Sequence, residues 1–331
     1  MKALVTGGGG FLGSAIVRQL RARGDEVRTF SRAKHQQLSL LGVEQFRGDL
    51  SDPTAVLDAV RGCDIVFHVA AKAGIWGDYE EYYRTNVAGT ENIIAACLAH
   101  QVGRLVYTGS PSVVFDGCDV EGGDETLPYP ASYEAHYPHT KAVAEQLVLE
   151  ANSSFLATVS LRPHLIWGPG DNHLVPRIVE KGRAGRLRRI GTRPCLVDTV
   201  YIDNAAEAHL NAADRLQPGS PPAGKAYFIS NGEPLPLWEM VNRILAAAGL
   251  PPVTRSISPK LAHSVGTLCE TIWQVLRLSG EPPMTRFVAS ELSSAHWFDI
   301  SAARRDLGYQ PKISIEEGLK RLKASFTKGT R

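Results

Sequence analysis

The sequence predicts a doubly wound α/β fold, a parallel sheet covered by helices on both faces, followed by a smaller C-terminal region. Three observations lead there. Short β-branched runs alternate with helix-period apolar patterns through the first half of the 331 residues, the order that parallel strands and crossover helices require. A glycine cluster, Gly7-Gly8-Gly9-Gly10, falls between the first such run and the first such helix. Beyond Pro163 the texture changes, to Pro/Gly clusters at 168–170, 218–224 and 232–236 and a basic stretch over 181–193.

The elements follow in order. Residues 2–6 form the first strand, and 11–23 a helix whose Leu12, Ile16, Val17 and Leu20 share one face. A second strand covers 26–30. Ser51-Asp52-Pro53 starts a helix carrying Val56, Leu57 and Val60, with proline in its favoured first turn. The central strand is 64–71. A helix through Val87, Ile93, Ile94, Cys97 and Leu98 leads to the strand 104–107, and a helix over 137–151 leads to the strand 157–161. A boundary near 165 divides a domain over 1–165 from a region over 166–331, with strands around 197–202 and 226–229 returning to the first sheet. Within 256–290, Leu261, Val265, Leu268, Ile272 and Val275 recur at helical spacing, widened by Trp273 and Leu276. Such a helical cap faces a core, closes over an apolar ligand, or rests against lipid or a partner protein.

Composition removes several classes of function. Lys and Arg number 36 against 34 Asp and Glu, a net charge of +2, so no overall field points to nucleic acid or to an anionic surface. The run Lys181, Arg183, Arg186, Arg188 and Arg189 reads as a solvated face or a site for an acidic partner; it lacks the aromatic interleaving of a nucleic-acid groove. An apolar content of 44% supports a core without staples. Cys63, Cys97, Cys118, Cys195 and Cys269 include no C-x-x-C pair, so no metal site is expected and the setting is reducing and cytoplasmic. The N-terminus enters its strand directly, without the apolar stretch of a signal peptide. No segment offers the roughly 18 to 20 apolar residues of a membrane span; 261–278 is interrupted by His263, Glu270 and Arg277.

Gly7, Gly10 and Gly13 have the spacing G-x-x-G-x-x-G between strand and helix, the dinucleotide loop of a Rossmann domain. Gly7 and Gly10 let the backbone approach a pyrophosphate, Gly13 lets helix and strand pack closely, and Phe11 and Leu12 open a helix whose free N–H groups face phosphate. At the end of the second strand Phe30-Ser31-Arg32 has no carboxylate for a ribose 2′-hydroxyl, while Ser31 and Arg32 suit a 2′-phosphate. NADP(H) is therefore the expected cofactor, with NAD(H) as second choice. Asp49-Leu50 is placed for Asp49 to accept from the adenine amino group or to serve as a turn residue. Ala70-Ala71-Lys72 lets a cofactor pass close to a strand end.

Among ten tyrosines only Tyr137 has a lysine four residues later, Lys141, on one face of a helix. The ammonium would lower the phenol's pKa and hold the nicotinamide ribose. Ser110, just past the strand 104–107, is placed to hydrogen-bond a substrate oxygen beside the phenol. Thr85 and Asn86 support a proton relay or cap a helix.

With these motifs stands a resemblance over nearly the whole chain: TGGGGFLG at 6–13, RGDLSD at 47–52, NVAGT at 86–90, VYTGSPSVV at 106–114, YPHTK at 137–141, LRPHLIWGPGD at 161–171 and VYIDNAAEAH at 200–209. The chain resembles an extended short-chain dehydrogenase/reductase of the 3β-hydroxysteroid-dehydrogenase-like branch. That resemblance implies Ser110, Tyr137 and Lys141 as the catalytic trio and places Pro163 and His164 beside the nicotinamide. KAGIWG at 72–77, KAYFISNGEPLP at 225–236 and GEPPMTRF at 280–287 are most similar to branch members that use NADPH to reduce the ketone of a long-chain 2-alkyl-3-oxoalkanoate to the 3-hydroxy acid; 191–195 lacks their glycine/asparagine-rich form. Leu268, Ile272, Val275, Leu276, Met284 and Phe287 are then expected to receive hydrocarbon. Alternatives are a sterol dehydrogenase, a nucleotide-sugar epimerase, and a non-catalytic dinucleotide sensor. A homodimer is the expected assembly.

Overall fold

The computed structural model describes residues 1–328. Among them, seven strands form one sheet in the order Lys225–Ile229, Ala157–Pro163, Arg104–Thr108, Ile65–His68, Lys2–Thr6, Glu26–Ser31, Glu44–Arg47. Every neighbouring pair is parallel. Helices cover both faces of the sheet, so its inner strands are buried on both sides; all seven residues of Ala157–Pro163 are buried. The chain starts in Lys2–Thr6, winds to the Glu44–Arg47 edge, then resumes on the other side at Ile65–His68. This reversal opens a crevice at the carboxyl ends of the two central strands, where open α/β sheets bind ligands.

The helix Phe11–Ala22 buries Leu12, Ile16, Val17 and Leu20 as its periodicity predicts, and packs beside Ile202–Arg215. On the other face Pro53–Val60 packs against Gly89–Ala99. Asp52 caps the former, its Oδ1 accepting from the N–H groups of Thr54 at 3.0 Å and Ala55 at 3.2 Å. The edge strand Glu44–Arg47 was not legible in the sequence. Its residues, EQFR, are nowhere fully buried, so no alternation marks them; the strand is held by Arg28, whose Nε donates to Glu44 at 2.8 Å and whose guanidinium lies 4.4 Å over the Phe46 ring.

Two expectations need correction. Of the two strands expected to return to the large sheet only Lys225–Ile229 does. The segment 197–202 divides instead: Leu196–Val197 joins a second sheet with Leu235–Pro236, His296–Phe298 and Val120–Gly123, Val200–Tyr201 pairs with Ile166–Trp167, and Ile202 opens a helix. The cause is Asp198, a buried carboxylate that must turn toward donors and so breaks the strand. The second correction concerns Pro259–Leu276. Its buried face carries two small residues, Ala262 and Gly266, and the carboxylate of Glu270. A Cβ on Gly266 would lie 2.7 Å from the Thr285 carbonyl carbon, and the Glu270 carboxylate accepts from the backbone N–H and the Nε of Arg286, both at 2.7 Å. These contacts fix the rotation of the helix, so Leu268, Ile272, Val275 and Leu276 point away from the protein and receive no ligand within it. Of the six residues expected there, Phe287 is buried and Met284 is half-buried against the core. No helix of the described residues is long and apolar enough to cross a membrane.

Two buried histidines are locked neutral. Thr6 Oγ1 accepts from the Val69 and Ala70 N–H groups, so its own proton goes to His68 Nδ1 at 2.9 Å; Thr90 gives its proton to the Asn86 carbonyl, so it accepts from His68 Nε2 at 3.0 Å. Burial pulls the His68 pKa down to about 3, helped by the Lys141 ammonium. His209, between Thr108 Oγ1 and the Ala205 carbonyl, is pulled down to about 4, again by burial. Each folded pKa lies below the unfolded value, so the unfolded chain binds more protons, and stability present above pH 6.5 is lost as pH falls toward these values. The urea midpoint should therefore fall between pH 6.5 and 4, and His209→Asn should reduce the proton uptake on unfolding by about one. An unchanged pH slope in that variant would contradict the assignment.

Candidate active site

Four glycines make the loop between Lys2–Thr6 and Phe11–Ala22, and the structure shows what two of them are for. Gly7 has φ +66°, and a Cβ there would sit 3.0 Å from the Ala70 Cα; one on Gly13 would lie 2.2 Å from the Gly7 carbonyl oxygen. A side chain at Gly7 would push the loop off Ala70, and one at Gly13 would push the helix off the loop backbone. Gly10 N donates to the Gly7 carbonyl at 2.8 Å, and Gly10 caps the helix with no side chain, leaving the N–H groups around Phe11 and Leu12 toward the crevice. His35, which the sequence did not single out, lies over the loop: a Cβ on Gly9 would be 2.1 Å from its Nε2.

At the end of Glu26–Ser31, Ser31 Oγ donates to the Ala33 carbonyl at 2.7 Å, so its proton is already used. The exposed Arg32 guanidinium makes no hydrogen bond or ion pair among the described residues; its carbonyl accepts from Arg47 Nε at 3.0 Å. Asp49 Oδ1 accepts from the Ser51 N–H at 3.0 Å and its hydroxyl at 2.8 Å. Those bonds, with Arg84 and Arg32 nearby, hold its carboxyl below the usual carboxylate range. Leu50 is buried, with its carbonyl held by Asn92. Ala70, Ala71 and Lys72 lie along the crevice. Asn86 fixes Lys72, accepting from its N–H at 2.7 Å and donating to its carbonyl at 3.1 Å, and also donates to Thr140 Oγ1 at 3.1 Å on the helix His136–Glu150. Neither alternative for Asn86 describes this clamp. The Lys72 ammonium is paired with Glu81.

Tyr137 and Lys141 lie on one face of His136–Glu150, as the spacing predicts. Ser110 caps the short turn Pro111–Val114, shares a hydrogen bond of 2.8 Å with Ser112 Oγ, and reaches the Tyr137 phenol. The trio is thus assembled. Its electrostatics differ from the expectation, because burial raises the phenol's pKa, opposed by the Ser110 hydrogen bond, and keeps it protonated. Lys141 Nζ donates to the Thr108 carbonyl at 2.6 Å and sits 4.1 Å over the Tyr107 ring. Burial brings its pKa down to about 7, against the pull of Glu145.

A second set of titratable groups meets the trio from the C-terminal region. His164 Nδ1 lies 2.6 Å from Asp198 Oδ1, His164 Nε2 lies 3.1 Å from His296 Nδ1, and His296 Nε2 lies 3.0 Å from the Glu291 carbonyl. The Phe298 N–H donates to the other Asp198 oxygen at 3.1 Å. Both ends of this chain are acceptors, so His164 Nδ1 and His296 Nε2 are the donors there. Burial and its neighbour His164 draw His296 down to about 4. Both His164 ring nitrogens are therefore engaged within the protein, and its N–H donates to the Ile229 carbonyl at 3.0 Å. The Glu291 carboxyl acts on Tyr137 and is pushed up to about 7 by burial, against the pull of His164. No local motif announces Asp198, Glu291 and His296, because the bonds that bring them to the site, Asp198 to His164 and His296 to His164, span long stretches of chain. Among the described residues no group of three or more His, Cys, Asp or Glu is arranged to hold a metal ion.

The model of the 3-beta hydroxysteroid dehydrogenase/isomerase family matches residues 4–258. The chain belongs to that family. It is 58% identical, over 98% of its length and 99% of the relative's, to a 2-alkyl-3-oxoalkanoate reductase of Stenotrophomonas maltophilia. It is 53% identical to a protein of the same name in Shewanella oneidensis, over 98% of this chain and 86% of that one. Among solved structures, the UDP-glucose 4-epimerase of Thermus thermophilus in complex with NAD superposes with a TM-score of 0.75 at 26% identity, over 99% of both chains. The chain is an oxidoreductase.

Tyr137→Phe deletes the phenol proton and keeps the ring. Steady-state turnover should fall by about two orders of magnitude or more while the dissociation constant for cofactor changes little. Near-normal kcat would remove Tyr137 from the chemistry.

Proposed function

We propose that this protein reduces the ketone of a long-chain 2-alkyl-3-oxoalkanoate to the 3-hydroxy acid with NADPH. The observation that carries the proposal is the Ser110, Tyr137, Lys141 constellation beside the glycine loop, in a chain 58% identical over its length to a reductase of that name.

The loop fits a dinucleotide, because Gly7 and Gly13 let it pack tightly over a helix start that no side chain caps, which leaves backbone N–H groups for phosphate. When bound, the nicotinamide supplies a hydride equivalent to the ketone carbon. The chain's own residues handle the oxygen. Tyr137, kept in its acid form by burial, donates its proton to the developing alkoxide, a role that suits reduction. Ser110 donates to the same oxygen and orients it. Lys141, close to its titration point, holds the ribose edge of the cofactor and supports return of the tyrosine proton. Phe115 and Phe287, edge to face at 6.0 Å, with Phe115 also against His296, give the substrate side an apolar wall. In this reading residues from 166 onward provide most of that side.

Preference for NADPH rests on Arg32, a guanidinium without an internal partner at the end of the second strand. Arg32→Ala should narrow the ratio of kcat/KM for NADPH over NADH by about tenfold or more. Equal ratios in the parent protein would contradict the preference. For substrate, each buried methylene contributes about 0.8 kcal/mol, so kcat/KM along a series of 2-alkyl-3-oxo acids should rise severalfold per carbon until the pocket is full. A flat response, or faster turnover of sterols or UDP-hexoses, would remove the substrate assignment.

A further inference from the structure

The helix Pro259–Leu276 has its amphipathic pattern inverted. Small residues, Ala262 and Gly266, face the protein, while Leu261, Val265, Leu268, Ile272, Val275 and Leu276 form one continuous outward stripe. Leu268 is 60% exposed and Val275 73%. A run of large apolar side chains in one row on a surface marks an interaction site, because scattered exposure would not follow the helical repeat.

What lies next to the stripe identifies its occupant. Arg189–Ile190 pairs with Ser256–Ile257, Arg189 N donates to the Arg255 carbonyl, and Ser258 caps the helix. This brings the basic stretch beside the start of the stripe. Lys181, Arg183, Arg186, Arg255 and Lys260 are exposed, and none has an ion pair or side-chain hydrogen bond among the described residues. Residues 181–195 and 246–269 contain no Asp or Glu. A second copy of the chain docking face to face would set these like charges against one another.

We infer that the Pro259–Leu276 stripe and its basic flank are a docking surface for an anionic lipid bilayer. The helix lies in the interface plane, its leucines and valines enter the acyl boundary, and the lysines and arginines meet lipid phosphates. Resting on the substrate reading above, the surface brings the enzyme to the phase where a long-chain keto acid partitions, with Glu270 and Gly266 tying the helix to the segment that carries Phe287.

The test is co-sedimentation of the full chain with vesicles of phosphatidylcholine alone, or of phosphatidylcholine containing phosphatidylglycerol. The expected result is sedimentation with the anionic vesicles, weakened by salt, lowered about fivefold for each charge removed in Arg183→Gln and Arg186→Gln, and abolished in a Leu268→Glu, Val275→Glu double variant. Circular dichroism and turnover of a short, water-soluble ketone show that the variants are folded. Absence of sedimentation in the parent protein overturns the inference, as does sedimentation indifferent to both sets of substitutions. Dissociation of an oligomer by the Leu268→Glu, Val275→Glu variant, with no vesicle binding by the parent, also overturns it and assigns the stripe to a protein contact. Sedimentation reads the surface whatever the substrate is, so failure of the substrate assignment leaves a distinct result.

Discussion

A single buried carboxylate sets the position of the helix His136–Glu150. Glu145, one turn beyond Lys141, is fully buried and accepts from Ser160 Oγ at 2.6 Å, Arg162 Nη2 at 2.6 Å and Tyr129 OH at 2.8 Å. Ser160 and Arg162 belong to the strand Ala157–Pro163, so one side chain on the helix grips the sheet at two alternate positions. Removing one partner of such a pair leaves a buried charge alone, at about 3–5 kcal/mol. Even the backbone opposite is shaped around it: a Cβ on Gly109 would lie 2.6 Å from Glu145 Oε2. Because Gly109 adjoins Ser110, the contact that locates Tyr137 and Lys141 also locates the third member of the trio.

Fixing the helix this way fixes the protonation of the site. Lys141 is carried into the interior, where loss of water lowers its pKa to about 7 and the Thr108 carbonyl and Tyr107 ring take the place of solvent. The same loss of water acts in the opposite sense on Tyr137 and Glu291, raising both. The outcome is a pocket in which the Tyr137 phenol keeps its proton while Lys141 and Glu291 titrate close to neutrality, an arrangement suited to delivering a proton to an oxygen. His164, held between Asp198 and His296, has both ring nitrogens engaged and offers no free donor.

The C-terminal region joins the dinucleotide domain through that same chain of imidazoles. Asp198 interrupts the strand it was expected to continue, and by accepting from His164 and from the Phe298 N–H it ties the second sheet to the end of Ala157–Pro163. The polar network therefore acts as a joint between regions as well as part of the site's electrostatics.

What the sequence determined by itself was local. The strand, glycine loop and helix at the N-terminus, the Asp52 cap and the Tyr137/Lys141 spacing each depend on a short stretch of chain whose periodicity or turn chemistry admits few alternatives. Glu145 was within reach of such reasoning, being an acid four residues past Lys141 on the same buried face. The tertiary structure decided the rest. Only packing could show that Gly266 and Glu270 turn the cap helix outward, since an apolar stripe gives the period of a helix and not the direction it faces. Only long-range contact could bring Asp198 and His296 to His164, because those hydrogen bonds join residues far apart in the chain. The protonation of Tyr137 was decided there too, by burial, a property of the whole fold that no motif contains.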